Sequence, residues 1–133
     1  MAFINWQREY EVGYAKVDDQ HKELVRIINS LAEAMGAGQG QEQVGQVLHA
    51  LSEYTSYHFA MEEGLMKSHD YPDYPAHRKI HESLLASVQD LVTRFDAGKP
   101  VLTVAVMNFL QDWLIDHIQR EDAKLVGFLA PAE

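Results

Sequence analysis

Residues 75–97 read PAHRKIHESLLASVQDLVTRFDA, and their apolar side chains recur at steps of three and four residues. Beyond His81 this spacing places the apolar residues on one stripe of an α-helix. His77 and His81 continue the stripe toward the start of the segment, where Pro75 fits the first turn of a helix. The stretch therefore predicts a buried helix face that carries two imidazole rings one turn apart.

Three further segments show the same periodicity, and breaks rich in glycine or proline separate them. The predicted elements are an aromatic arm at 1–17 and helices at 18–36, 41–68, 75–97 and 101–127. Helices of about 20 residues, each about 30 Å long, joined by short links, predict an all-α fold. We expect an up-down-up-down antiparallel four-helix bundle, formed as a single domain of residues 1–133. Asp18 or Asp19 is predicted to cap the first helix, and Gly127 and Pro131 to end the fourth.

The composition excludes several classes of function. The chain has 133 residues, a formal net charge of −9 and only 11 Lys and Arg, so nucleic acid and anionic membranes are disfavoured as partners. It has no Cys, which excludes thiolate nucleophiles and Fe–S clusters. Neither a signal peptide nor a membrane span is visible, so we expect a cytoplasmic protein, and a monomer because the apolar stripes face inward.

A set of polar residues interrupts the apolar stripes at matching depth in the four predicted helices. The set comprises His21, His58, Glu62, His77, His81 and His117, and either Glu121 or Asp122 follows on the fourth helix. Any one of them alone is best interpreted as a core residue with an ordinary hydrogen-bond partner. Together, five imidazoles and buried acids would leave ring nitrogens unpaired in a metal-free core. The set therefore predicts two metal ions of the iron type, whereas His49 and His69 are predicted to lie at the surface.

The fourth helix offers two acids as the possible ligand, and their spacings from His117 differ. Glu121 follows His117 by four residues and lies almost above it on a helix. Asp122 follows by five and is rotated by about 140° in a helix of 3.6 residues per turn. Spacing favours Glu121, and Asp122 faces inward only where the helix tilts or bulges.

Taken together, these residues resemble the hemerythrin family. The family pattern is a lone His, then His-x-x-x-Glu, His-x-x-x-His and His-x-x-x-x-Asp, and all four parts occur in order from His21 to Asp122. The resemblance selects Asp122 over Glu121. It implies a centre of two iron ions bridged by an oxo or hydroxo group. The implied ligands are His77, His81 and His117 for one ion, His21 and His58 for the other, and Glu62 and Asp122 as bridges.

The resemblance also implies a function. Members bind O2 reversibly at the ion with two histidines, so we expect a carrier or store of O2 rather than an enzyme. Leu114, one turn before His117, is the candidate for the wall of the O2 pocket, with ordinary core packing as the equal alternative. The roles of Trp6 and Trp113 stay open. The alternative function is a di-iron enzyme or a sensor that handles O2, peroxide or nitric oxide.

Overall fold

The computed structural model describes residues 3–36, 41–99 and 104–129. The α-helices in this part are α1 (Ala15–Gly36), α2 (Gln41–Ser68), α3 (Tyr74–Asp96), α4 (Val104–His117) and α5 (Ala123–Leu129). A π-helical segment, Ile118–Asp122, joins α4 to α5 without a break, and a single 3-10 turn, Arg8–Tyr10, lies in the arm. The described residues contain no strand, and the predicted all-α four-helix bundle is confirmed.

Apolar side chains from α1, α2, α3 and α4 meet along the bundle axis. The residues that fill the half of the core farther from the predicted ligands, here called the apolar half, are Ile28, Leu31, Leu48, Val88, Met107 and Leu110. All are buried, and Leu31 and Leu48 are fully so. Burying one such side chain contributes about 1.5–3 kcal/mol. The predicted ligands share these stripes, so the same packing carries them into the interior.

The start of α1 differs from the prediction. The helix begins at Ala15, and the carbonyl oxygen of Tyr14 accepts the first helical bond, from the N–H of Asp18 at 2.9 Å. The Asp18 carboxylate reaches backward and accepts the backbone N–H groups of Val12 at 2.8 Å and Gly13 at 3.1 Å. The prediction that Asp18 or Asp19 caps the helix is therefore wrong. Because the helix starts three residues earlier, this buried carboxylate ties the arm to α1 instead.

The arm packs on the bundle at the end where the ligands were predicted. Asn29 fixes it: its side-chain oxygen accepts the N–H of Ile4 at 2.6 Å, and its side-chain nitrogen donates to the Ile4 carbonyl at 2.9 Å. Ile4 is buried, and Trp6 packs against the same core. The 3-10 turn of the arm lies against the π-helical segment. The arm thus covers the part of the fourth helix that changes its winding.

The fourth helix continues past its predicted end. Gly127 lies inside α5, which ends only at Leu129, because Leu125 and Val126 are buried and keep this segment on the bundle. The prediction that Gly127 ends the helix is therefore wrong. Pro131 and the predicted helix start at 101 lie outside the described residues. Within the described ranges, no helix is long and apolar enough to cross a membrane.

Candidate metal centre

The structure brings all seven predicted ligand residues together at one end of the bundle. α1 contributes His21, α2 contributes His58 and Glu62, α3 contributes His77 and His81, α4 contributes His117, and the π-helical segment contributes Asp122. We call these seven residues the ligand layer. None is more than 3% exposed, so their polar atoms depend on one another or on a bound group. His49 and His69 lie at the surface, as predicted.

The π-helical segment decides which acid of the fourth helix faces inward. A π-turn bonds residue i to residue i+5, so the residue five positions on returns to the face of the first. Asp122 is accordingly fully buried, with its Oδ1 3.0 Å from Nε2 of His117. Glu121, which an ideal α-helix would turn inward, is partly exposed. The local winding thus selects Asp122 instead of Glu121, which residue spacing alone favours.

Glu62 divides its two oxygens between two sets of histidines. Its Oε2 lies 3.1 Å from Nε2 of His58 and 3.6 Å from Nε2 of His21. Its Oε1 lies 3.1 Å from Nε2 of His81 and 3.5 Å from Nε2 of His77. One carboxylate therefore faces both sets at once, with a different oxygen toward each.

Asp122 divides its two oxygens between the histidines in the same way. Its Oδ2 lies 2.7 Å from Nε2 of His21, and its Oδ1 lies 3.1 Å from Nε2 of His77. The two sets are the two-histidine group (His21 and His58) and the three-histidine group (His77, His81 and His117). When both acids are added to each group, one ligand atom from every member lies within 4.8 Å of the others. The residues thus form two adjoining ligand sets that share a pair of carboxylates.

The hydrogen bond behind His58 fixes which of its nitrogens is bare. Its Nδ1 lies 2.7 Å from the amide oxygen of Gln20, which can only accept, so Nδ1 carries the hydrogen. Nε2 of the neutral ring then holds a lone pair, and it lies 3.1 Å from Oε2 of Glu62 without forming a hydrogen bond. Two lone pairs at this distance repel unless a cation lies between them. The geometry therefore fits a metal ion at this point.

His81 shows the same pattern in the three-histidine group. Its Nδ1 donates to Oε2 of Glu63 at 3.1 Å, which leaves a lone pair on Nε2. That Nε2 faces Nε2 of His117 at 3.2 Å and Oε1 of Glu62 at 3.1 Å. Both oxygens of Glu62, Oδ1 of Asp122 and Nε2 of His77 are also buried without a hydrogen-bond partner. Nitrogen and oxygen donors of this kind suit divalent iron.

Because the side chains of the ligand layer are buried close together, they shift one another's pKa values. Burial alone would lower the pKa of His21 and His77, but the adjacent carboxylates of Asp122 and Glu62 and their negative charges raise each pKa to about 9. Burial would raise the pKa of Glu62 and Asp122, but the surrounding histidines hold both below their ordinary values. At neutral pH the ligand layer therefore attracts positive charge, either as protons or as metal ions.

Three residues that sequence reasoning missed support the ligand rings from behind. Phe59 stacks on the ring of His81 at 3.8 Å between centroids and 3° between planes. Gln20 and Glu63 accept the Nδ1 hydrogens described above. Each of the three is the chain neighbour of a ligand, which is the one sequence signal that could have pointed to it. Trp113, whose role the sequence left open, stacks on His117 at 4.8 Å and 10°.

A small apolar cavity of about 20 Å³ lies one helical turn from the ligand layer, toward the apolar half. Four of its lining residues are each three positions from a ligand histidine: Leu24, Thr55, Leu84 and Leu114. The Thr55 hydroxyl donates to the carbonyl of Leu51 at 2.6 Å and so presents no free donor. Because a buried water needs two or more polar partners, this cavity favours an apolar occupant.

Comparisons with known proteins extend over almost the whole chain. The family model described as "Hemerythrin HHE cation binding domain" matches residues 12–129. Bacteriohemerythrin from Pseudomonas aeruginosa is 38% identical over 128 residues, which are 95% of this chain and 81% of that protein. Bacteriohemerythrin from Methylococcus capsulatus is 34% identical over 128 residues, 96% of each chain. A crystal structure of wild-type hemerythrin superimposes with a TM-score of 0.91 at 30% identity, over 98% of this chain and all of that one.

Proposed function

This chain belongs to the hemerythrin family, and we propose that it carries or stores O2 by binding it reversibly at a di-iron centre. O2 binding at a di-iron centre is the function that the family match and the relatives support. The single observation that carries the proposal is the division of oxygens in Glu62 and Asp122. Each acid turns one oxygen toward the two-histidine group and the other toward the three-histidine group. Carboxylates placed in this way can bridge two ions.

The ligand layer would hold the ions as two unequal halves. The three-histidine group would bind one ion, the two-histidine group the other, and Glu62 and Asp122 both. Two ferrous ions, two carboxylates and one bridging hydroxide sum to a charge of +1, which keeps the cost of burial modest. The two-histidine group would give its ion one protein ligand fewer, which would leave a position for O2. When bound, the iron pair supplies two electrons to O2 and recovers them on release.

The chain's own contribution to reversibility is an apolar surrounding. Leu114 is 2% exposed and lines the small cavity beside the ligand layer. We propose that Leu114 forms the wall nearest to bound O2. Excluding water and small anions from this place slows the irreversible oxidation of the centre. Trp113 contributes to the same lining and stacks on His117, so it serves both the cavity and the ligand.

The ligand chemistry favours binding over catalysis. Carboxylate-rich di-iron oxidases use paired Glu-x-x-His motifs, and this sequence contains none. A centre with five histidines and two acids favours ferrous iron and supplies little anionic charge for more oxidised states. We therefore propose a binding protein rather than an enzyme. The monomeric state and the cytoplasmic location stay predictions from the sequence.

Anaerobic reduction followed by O2 titration tests the proposal. We expect two irons per chain and a visible absorption change that reverses when O2 is removed. Zinc in place of iron, or one ion per chain, would contradict the di-iron assignment. Irreversible oxidation with release of peroxide would replace the carrier by a di-iron enzyme.

A further inference from the structure

The hydrogen bonds behind the ligand rings differ between the two halves of the centre. Nδ1 of His58, in the two-histidine group, donates to the neutral amide of Gln20 at 2.7 Å. Nδ1 of His81, in the three-histidine group, donates to the carboxylate of Glu63 at 3.1 Å. Nδ1 of each of the other three ligand rings is buried and has no hydrogen-bond partner among the described residues. Only one ligand ring therefore has an acid directly behind it.

Glu63 reaches this position because of where it stands on α2. It follows Glu62 directly, and successive residues of an α-helix point about 100° apart. Glu62 therefore enters the ligand layer, while Glu63 passes along its outside and meets the far edge of the His81 ring. Glu63 is 23% exposed at its side chain, whereas His81 is fully buried. The carboxylate is thus hydrated on one side and bonded to a ligand on the other.

The surroundings of Glu63 argue against a chance surface contact. It lines an open pocket of about 200 Å³ between α2 and α3, together with Arg78 and Glu82. Arg78 forms its ion pair with Glu82, at 3.1 Å, rather than with Glu63. The short-range ionic contact that the structure gives to Glu63 is the one to His81. Phe59 stacks on the face of the same ring, so His81 is held both at its edge and on its face.

We propose that Glu63 is a positioning residue that orients His81 and makes its Nε2 a stronger electron donor to the ion of the three-histidine group. A carboxylate that accepts the Nδ1 hydrogen fixes the tautomer and raises the basicity of the ligating nitrogen, which a neutral amide does less. A stronger donor stabilises ferric over ferrous iron. The two irons would therefore differ in redox behaviour as well as in ligand number. This inference rests on the proposed di-iron function and deepens it.

The test compares three variants of the full chain. Glu63→Ala removes both the hydrogen bond and the charge, whereas Glu63→Gln keeps an acceptor oxygen and removes only the charge. Glu82→Gln is the matched control, because Glu82 lies in the same pocket and pairs with Arg78 instead of a ligand. Two readouts are needed: Fe²⁺ affinity by anaerobic competition with a chelator, and the midpoint potential of the iron-loaded protein.

We expect Glu63→Ala to lower Fe²⁺ affinity by about 10- to 100-fold, as is typical when the partner of a metal-bound histidine is removed. Glu63→Gln should keep most of the affinity but raise the midpoint potential, and Glu82→Gln should change neither. Wild-type affinity and potential in Glu63→Ala would overturn the proposal. An equal potential shift in Glu82→Gln would also overturn it, because net charge alone would then explain the effect.

The same experiment separates this inference from the function on which it rests. If the wild-type protein binds two irons and Glu63→Ala has the same Fe²⁺ affinity and midpoint potential, only the role of Glu63 is refuted. Wild-type protein that binds no iron pair refutes the di-iron function and this inference with it.

Discussion

The two halves of the bundle interior are stabilised in different ways by the same four helices. In the apolar half, side chains such as Leu31 and Leu48 stabilise the fold by burial alone, because they carry no polar atom that would lose its contact with water. In the ligand layer, seven ionisable groups are equally buried, and several of their atoms have no hydrogen-bond partner. Such burial is unfavourable unless a cation compensates it. Packing of the apolar half therefore stabilises the fold without any bound group, whereas packing of the ligand layer does so only when positive charge is bound there.

The largest expected effect comes from His77→Ala, which removes a ligand from the three-histidine group. We expect the variant to lose its iron pair and the absorption change with O2. The free energy of unfolding of protein prepared with iron should fall by more than about 4 kcal/mol, the stabilisation that a ligand gives at 1,000 times its Kd. Iron content per chain and thermal unfolding with and without iron measure the effect. Retention of iron and O2 binding would show that these histidines are ordinary core residues.

Leu31→Ala is the matched control from the apolar half. A cavity at this fully buried position should lower the free energy of unfolding by about 3–5 kcal/mol. The loss should be equal in the iron-loaded and iron-free proteins, with two irons per chain retained. Unequal losses would mean that the two halves are coupled, and the comparison between them would fail.

A smaller effect is expected within the ligand layer from Asp122→Asn, with Glu121→Gln as its control. The first change keeps the shape of the side chain but removes the charge of a fully buried acid, and the second removes a charge that is partly exposed. We expect Asp122→Asn to lower Fe²⁺ affinity at least about 100-fold, or about 2.8 kcal/mol. Glu121→Gln should leave it unchanged within about twofold. If the two effects were reversed, the π-helical segment would not direct Asp122 into the centre.

The apolar half and the ligand layer also differ in how well the sequence predicts them. The apolar half is encoded by steps of three and four residues, so the helices and the bundle could be predicted from periodicity alone. The histidine ligands lie on those stripes and were equally visible. Asp122 was not, because its direction depends on a π-turn, and five-residue spacing does not distinguish such a turn from an outward-facing acid.

The residues behind the ligands were harder to predict for a related reason. Gln20 and Glu63 are polar residues next to ligands in the chain, and many exposed helix residues have that description. What distinguishes them is a contact with a ring from another helix, 38 and 18 residues away. The predicted cap of α1 was also wrong, because Asp18 bonds to the arm that precedes the helix and not to the start of the helix. The contacts of Gln20 and Glu63 join different helices, so no local pattern contains them, whereas those of Asp18 are local but run backward into the arm.

The smallest expected effect is a pH dependence that the ligand layer has and the apolar half lacks. In iron-free protein, the carboxylates raise the pKa of His21 and His77 to about 9, above the ordinary value of 6.5. Their contribution to stability is then fully present below pH 6.5 and is lost as the pH rises through 9. Glu62 and Asp122, with lowered pKa values, act in the opposite direction and lose their contribution in acid. Iron-free protein should therefore be most stable between about pH 4.5 and 6.5.

Iron binding should respond to pH with the opposite sign, because each histidine must release its proton before it binds a metal. Apparent Fe²⁺ affinity should rise from pH 6.5 toward 8, over the range in which iron-free protein becomes less stable. Unfolding curves of the iron-free variants at several pH values distinguish the two halves. Leu31→Ala should lower the free energy of unfolding equally at every pH. His77→Ala should also reduce the decrease in the free energy of unfolding that occurs above pH 6.5. A wild-type iron-free protein whose stability does not change between pH 6.5 and 9.5 would show that protons do not occupy the ligand layer. A cation other than the proton would then have to compensate the buried carboxylates of the ligand layer in iron-free protein.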